Sequence, residues 1–263
     1  MRGLRRSCSR FVYRDAVSPD LALAHRLADR ADEIALARFR ARDLVVETKP
    51  DLTPVTDADR AVESALREIL AAERPQDAVL GEEYGASEGA RRWIVDPIDG
   101  TRNYSRGIPV WATLIALEED GAIRLGVVSS PALGRRWHAE RGSGAWSGSD
   151  RIRVSSVRFA DDAVLSFALE QPLPTLATRA WHARGYGDFW SHMLVAEGAV
   201  DGAIDAIGVS VWDLAPIQVI VEEAGGRFSD FAGASRIDGG TAISSNGHLH
   251  QLLLDAVRSD RGR

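Results

Sequence analysis

Apolar positions along this chain switch between helical and strand spacing several times, and the switches predict its elements. Leu23, Leu27, Ala31 and Ile34 recur at intervals of three and four after Ser18-Pro19-Asp20. Serine is a favoured N-cap, proline fits the first helical position and an acid suits the first turn, so a helix is expected over 19–40. Leu44 to Thr48 reads as a short strand, and 49–56, with two prolines, as a loop. Ala61, Val62, Ala65, Leu66, Ile69 and Leu70 make one apolar face of a second helix, 58–73. Ala78 to Leu80 and Trp93 to Val95 are short buried-strand runs. Each leads into carboxylates, at the strand ends where open α/β sheets build their sites.

Trp111 to Leu117 and Ile123 to Ser129 flank Glu-Glu-Asp-Gly-Ala, a hairpin signal. Arg135 to Ala139 and Ile152 to Val154 extend the same sheet, with the Gly/Ser-rich stretch 142–149 as a surface loop. From about residue 160 apolar strands alternate with helices: strands Ala163 to Ala168 and Val200 to Asp205, helices Asp188 to Glu197 and Trp212 to Ala224, the last stopped by Gly225-Gly226. The pattern predicts an α/β (α+β) chain in two halves, 19–160 carrying a metal site and 161–263 completing it. With no flexible linker between them, they are expected to pack as one body. Residues 1–18 read as a basic, disordered extension.

Composition narrows the function. The chain has 263 residues, with 38 acidic against 32 basic, a net charge of -6. That balance argues against a nucleic-acid partner, which usually calls for a basic excess. A single cysteine, Cys8, excludes an internal disulfide and any Cys-rich metal site, and fits a reducing compartment. No window approaches the roughly 18 consecutive apolar residues of a membrane span. The first fourteen residues lack the apolar core of a secretory signal, so a cytoplasmic location and no membrane partner are expected. Among the basic residues Lys49 is the one lysine.

Acids cluster in four segments: Thr53-Pro54-Val55-Thr56-Asp57-Ala58-Asp59, Gly81-Glu82-Glu83, Asp96-Pro97-Ile98-Asp99-Gly100-Thr101 and Trp212-Asp213. Carboxylates without cysteine or histidine suit hard, oxygen-loving cations, which makes magnesium the expected metal rather than zinc. Asp96 and Asp99 lie three apart across a proline expected to stop the strand, so both can reach one metal cluster with the Ile98 carbonyl beside them. Gly100 and Thr101 then offer backbone N–H groups to an anion at a helix start. The spacing fails the EF-hand pattern, and Pro97 stands where an Asp-x-Asp nucleophile would need its partner acid.

GEE, DPIDGT and WDLAP, in this order, resemble the inositol monophosphatase superfamily of magnesium-dependent, lithium-sensitive phosphomonoesterases, over about residues 20–258. The resemblance implies a layered αβαβα sandwich and a homodimer. It implies that Glu82, Asp96 and the Ile98 carbonyl hold one magnesium, that Asp96, Asp99 and Asp213 hold a second, and that a looser third ion lies near Glu82. Asp57 and Thr101 would orient the attacking water, and Lys49 would sit in a mobile loop that closes near the metals.

Longer stretches, TKPDLTPVTDADRAVES, WIVDPIDGTRNYSRGIPVWATLIAL and YGDFWSHMLVAEGAVD among them, are similar to the actinobacterial-type histidinol-phosphate phosphatases. Histidinol carries an ammonium and an imidazole, so acidic partners would favour it. Asp188, Glu197 and Asp205 are the candidates on the alcohol side, with Arg184 approaching substrate or a neighbouring subunit; Glu82, Asp99, Gly100, Thr101 and Asp213 complete the substrate contacts. Glu197 and Asp205 read equally well as structural or solvated acids, and Arg184 as a surface arginine. The segment between Phe167 and Gly185 is shorter than in that branch, and Asp205 falls one position off its substrate-contacting acid. Inositol 1-phosphate, fructose 1,6-bisphosphate, 3′-phosphoadenosine 5′-phosphate and a non-catalytic phosphometabolite-binding role remain alternatives. Trp93, Trp111 and Trp137 are expected in the core, the Arg91-Arg92 and Arg135-Arg136 pairs on solvated edges, and His248 and His250 as a solvated pair.

Overall fold

Ser18 caps the first helix through its hydroxyl, which accepts from Leu21 N at 3.1 Å, and Pro19 opens the helical turn, as the sequence predicts. The structure, a computed structural model, describes residues 17–87, 89–168, 174–206 and 208–261. Most of the expected basic extension therefore lies outside the described residues. In chain order the elements are α1 (Pro19–Arg38), β1 (Val46–Thr48), β2 (Pro54–Thr56), α2 (Asp57–Glu73), β3 (Ala78–Gly81), β4 (Gly85–Ala86), β5 (Arg91–Asp99) and α3 (Thr101–Ser105). There follow β6 (Ala112–Glu119), β7 (Ala122–Ser130), β8 (Arg135–Glu140), β9 (Gly144–Ser147), β10 (Asp150–Ile152) and β11 (Val164–Ala168). The chain continues through α4 (Pro174–Arg179), β12 (His182–Arg184), α5 (Asp188–Ala196), β13 (Gly202–Asp205), α6 (Val211–Glu223), β14 (Arg227–Ser229), β15 (Ala242–Ser245) and α7 (His250–Arg261).

Two sheets carry the fold. An eight-stranded sheet runs β10-β9-β8-β7-β6-β5-β3-β4, antiparallel except for the β3–β5 pair. A five-stranded sheet runs β12-β11-β13-β15-β14. Helices α1 and α2 cover one face of the large sheet, α5 and α6 fill the space between the sheets, and α7 packs on the far side of the small sheet. This is the expected αβαβα layering.

Each interlayer space has its own core. Leu27, Val62, Leu66, Trp93 and Trp111 pack beneath α1 and α2; Leu114, Trp137, Phe189, Ile217 and Ile220 lie between the sheets; Leu165, Ile204, Ile243 and Leu253 lie under α7. Full burial of such side chains contributes about 1.5–3 kcal/mol each. Helix α6 approaches β7 so closely that a Cβ on Gly126 would sit 2.7 Å from the Pro216 Cα, so that strand position needs glycine.

The expected β6–β7 hairpin forms, and several other local readings change. The β6–β7 hairpin turns at Asp120 (φ 53°) and Gly121 (φ 75°), two left-handed residues that match the twist of the strands. Pro54 to Thr56, expected as loop, forms β2 and pairs with β1. The Gly/Ser stretch 142–149 contains β9, because Ala145 turns inward against β8. Pro97 does not stop its strand: β5 runs on to Asp99 through a register shift between Asp96 and Asp99. Arg136 is buried, held by Asp29 (2.7 Å) and Asp32 (2.7 Å) of α1, rather than on a solvated edge. His250 is also buried, its ring nitrogens each 2.9 Å from Ser229 and Ser245, while His248 is exposed. Among the described residues no helix is long and apolar enough to cross a membrane.

Candidate active site

The register shift in β5 is the local event that builds the site. Asp96 pairs opposite Leu114 and Asp99 opposite Ala112, so the intervening Pro97 and Ile98 bulge and both carboxylates turn toward one end of the sheet. Thr113 fixes the bulge by donating its hydroxyl to Pro97 O (2.8 Å), and Ile98 N donates to Asp96 Oδ1 (2.9 Å). Gly100, at φ 84°, then opens α3; a Cβ there would come within 3.0 Å of Val110 O.

Asp213 arrives from the start of α6, where its carboxylate accepts from Ser210 N at 2.6 Å in a capping box. One oxygen each of Asp96, Asp99 and Asp213 lie within 4.8 Å of one another. Burial and then mutual repulsion push the Asp96 and Asp99 carboxyls well above the usual range, Asp96 facing Glu82, Asp213 and Asp99. Burial takes Asp213 to about 7. Like charges gathered out of water call for a bound cation or for protons, and an all-oxygen donor set fits a hard divalent ion.

Glu82 follows β3 and faces the same cleft. Its turn is shaped by Glu63 of α2, a buried acid that accepts from Glu83 N (2.7 Å) and Tyr84 N (3.2 Å) and leaves no room for a Cβ on Gly81. Lys49 spans Glu82 and Glu83, with Nζ 2.6 Å from an oxygen of each.

The expected pairing of Asp57 with Thr101 is not formed. Asp57 accepts from Arg38 Nη2 of α1 at 2.6 Å. Asp59 meets Thr101 instead, Oγ1 to Oδ1 at 3.2 Å, while its other oxygen accepts from Thr56 N at 2.9 Å. Two residues on a helix differ by about 200° around the axis, so only one of these acids can face the cleft. The Thr56-x-x-Asp59 spacing of a capping box was the available signal, since the N3 acid turns back over the helix start. Burial raises the Asp59 carboxyl to about 7. The Thr101 hydroxyl also lies 2.9 Å from Ile98 O.

The same cleft, of about 340 Å³, is also lined by Asp188 and Asp205, close to Asp99 and Asp213. Asp188 begins α5 at φ 48°, a strained conformation for a residue with a side chain, and accepts from Asn103 Nδ2 at 3.2 Å. The next amide, Phe189 N, donates to Asp99 Oδ2 at 2.6 Å.

Two candidate substrate residues stand away from this cleft. Glu197 lies at the far end of α5, roughly 13 Å along the helix from Asp188, and its carboxylate accepts from Trp137 Nε1 (2.5 Å) and from Arg135. Arg184 is exposed on β12, donates to Ala183 O (2.9 Å) and is not among the residues lining the cleft.

The sequence profile of the inositol monophosphatase family matches residues 16–261. The chain is 53% identical to a histidinol-phosphatase of Mycobacterium tuberculosis, over 91% of this chain and 98% of that protein. It is 48% identical to a histidinol-phosphatase of Streptomyces coelicolor, over 89% and 95%. Among solved structures, the extragenic suppressor protein suhB from Bartonella henselae superposes with a TM-score of 0.85 at 30% identity, over 91% of this chain and 98% of that one.

Proposed function

The chain belongs to the inositol monophosphatase family, and from that premise we propose that it hydrolyses L-histidinol phosphate to L-histidinol and phosphate, with magnesium, in histidine biosynthesis. The observation that carries the reading is one cleft in which three converging carboxylates, Asp96, Asp99 and Asp213, are joined by two further acids, Asp188 and Asp205. The first group suits cations that bind phosphate; the second suits an alcohol that is itself a cation. The similarity to two histidinol-phosphatases supports the same substrate.

Glu82, Asp96 and the Ile98 carbonyl would hold one magnesium, Asp96, Asp99 and Asp213 a second, and a looser third would lie near Glu82. When bound, the ions offset phosphoryl charge and lower the pKa of water. The chain's own groups do the rest. When the Thr101 hydroxyl donates to Asp59, its oxygen is left to accept a hydrogen bond from a water in the cleft, and it can take that water's proton as it passes its own to Asp59. Asp59, with a carboxyl near 7, is suited to take on the proton that Thr101 releases. The α3 amides of Gly100 and Thr101 orient the phosphate, and Lys49 shields Glu82 and Glu83 from each other. Asp188 and Asp205 receive the substrate's positive end.

The same reading makes the enzyme a cytoplasmic homodimer, which sedimentation velocity tests. The test of function gives purified protein with magnesium four substrates in parallel: histidinol phosphate, inositol 1-phosphate, fructose 1,6-bisphosphate and 3′-phosphoadenosine 5′-phosphate. Released phosphate should give histidinol phosphate the highest kcat/KM, with lithium inhibiting. A better rate on another ester overturns the substrate and leaves the chemistry; no release from any of them favours a binding-only protein.

A further inference from the structure

His192 lies four positions beyond Asp188 on α5 and is 1% exposed. Its Nδ1 is 2.7 Å from Ser244 Oγ on β15, whereas Nε2 has no hydrogen-bond partner among the described residues. That nitrogen faces Asp205 Oδ2 at 4.0 Å. His192 and Asp205 line a side cavity of about 80 Å³ that shares Asp99, Asp188 and Asp213 with the main cleft. A buried polar atom left unpaired costs about 1–3 kcal/mol, so a ring nitrogen held in this way beside a carboxylate calls for a role.

We propose that His192 is a positioning residue for the cationic end of the substrate: Ser244 fixes the ring, Nε2–H points at Asp205, and Asp205 is thereby kept facing the cleft. The tautomer follows from the surroundings. A ring lone pair aimed at a carboxylate is repelled, while an N–H is attracted, and the Ser244 hydroxyl can donate to Nδ1 to leave the proton on Nε2. Burial keeps the ring neutral by lowering its pKa to about 4, so it has one N–H to give. The 4.0 Å gap suits a bridging water or a small closure when substrate arrives. The nature of the cation rests on the function proposed above; the His192–Asp205 relationship does not.

Two measurements test this. The first compares kinetics on histidinol phosphate and on glycerol 2-phosphate, whose alcohol carries no positive charge. His192→Leu is expected to lower the ratio of their kcat/KM values by about tenfold or more, through KM for histidinol phosphate. His192→Gln, which places an amide N–H near the same point, should recover most of the ratio. Asp205→Asn should give a similar loss, and the double variant should add little to it. Equal losses on both substrates, or no rescue by glutamine, would show a merely structural histidine. The second measurement needs no substrate: long-range proton–nitrogen correlation on the wild-type protein should show the Nε2–H tautomer, and the Nδ1–H tautomer overturns the proposal. If wild type discriminates poorly in favour of histidinol phosphate, the function fails, and the tautomer still decides the positioning role.

Discussion

The Thr101 hydroxyl stands 3.2 Å from Asp59 Oδ1, joining the start of α3 to the third residue of α2 across a buried gap. Asp59 is at the same time the partner of Thr56 in the capping box that begins α2, so one carboxylate both shapes the helix and holds a hydroxyl that lines the cleft.

Asp59→Asn is therefore expected to lower kcat by about two orders of magnitude or more, as the loss of a positioned proton acceptor does. Asp57→Asn should change kcat little. It weakens only a part-exposed pair in which Arg38 still has Asp43, worth about 0–1 kcal/mol. Steady-state phosphate release on both variants decides, and a reversed order would return the role to Asp57.

Asp99→Asn should trade activity for stability. Asp99 sits among Asp96, Asp188 and Asp213, and burial with their repulsion disfavours its charge. Neutralising it relieves that repulsion in metal-free protein, so Tm without magnesium should rise, while turnover falls by about 10²-fold or more. Thermal unfolding and phosphate release on the same preparation give both numbers; near-normal magnesium-dependent turnover would remove Asp99 from the metal site.

Arg136 is the buried charge whose loss should cost most outside the site. Its guanidinium is fixed by Asp29, Asp32 and Ser129, and Asp32 is itself pushed toward the neutral form by burial, with Arg136 opposing. Arg136→Met leaves Asp32 without its cation and should destabilise by about 3–5 kcal/mol. Urea unfolding measures the loss, and Asp32→Asn in the same chain should recover part of it.

Acid should unfold the protein earlier than its carboxylates alone would imply. Burial lowers the pKa of His138, His192 and His250 to about 4, and of His25 to about 2, from an ordinary 6.5. Between pH 6.5 and 4 the unfolded chain binds more protons than the folded one. Stability from these histidines is therefore fully present above pH 6.5 and lost as pH falls through the folded values. Urea midpoints at pH 7 and pH 5 should drop, and His138→Phe should make the drop shallower; equal midpoints for wild type would refute it.

Glu197→Gln tests the substrate wall from the other side. Its carboxylate holds Trp137 and Arg135, away from the cleft, so KM for histidinol phosphate should stay within about twofold while Tm falls. A large rise in KM would bring Glu197 back to the substrate.

Much of the chain was legible without coordinates where cause and effect lie within a few residues. The Ser18-Pro19 start, the apolar face of α2, the Asp120-Gly121 turn and the end of α6 at Gly225 depend on caps, periodicity and backbone freedom. The acids of Asp96-Pro97-Ile98-Asp99 could be recognised as suited to a cation from their chemistry, though the bulge that lets the strand continue through Pro97 depends on its partner strand β6.

What the sequence by itself determined was the run of the main helices and strands, the α/β class and the clusters of oxygen-donor acids, because each follows from local preference or from the charge of a residue type. The αβαβα layering was legible only through the resemblance to a family. Only the tertiary structure decided which carboxylate meets Thr101, that Glu197 serves Trp137, that Arg136 and His250 are buried, and that His192 stands behind Asp205. Those relationships join residues far apart in the chain, and their partners are set by how helices roll and sheets stack when apolar faces are buried. A helix turn or a strand register of one residue changes them without altering any local pattern.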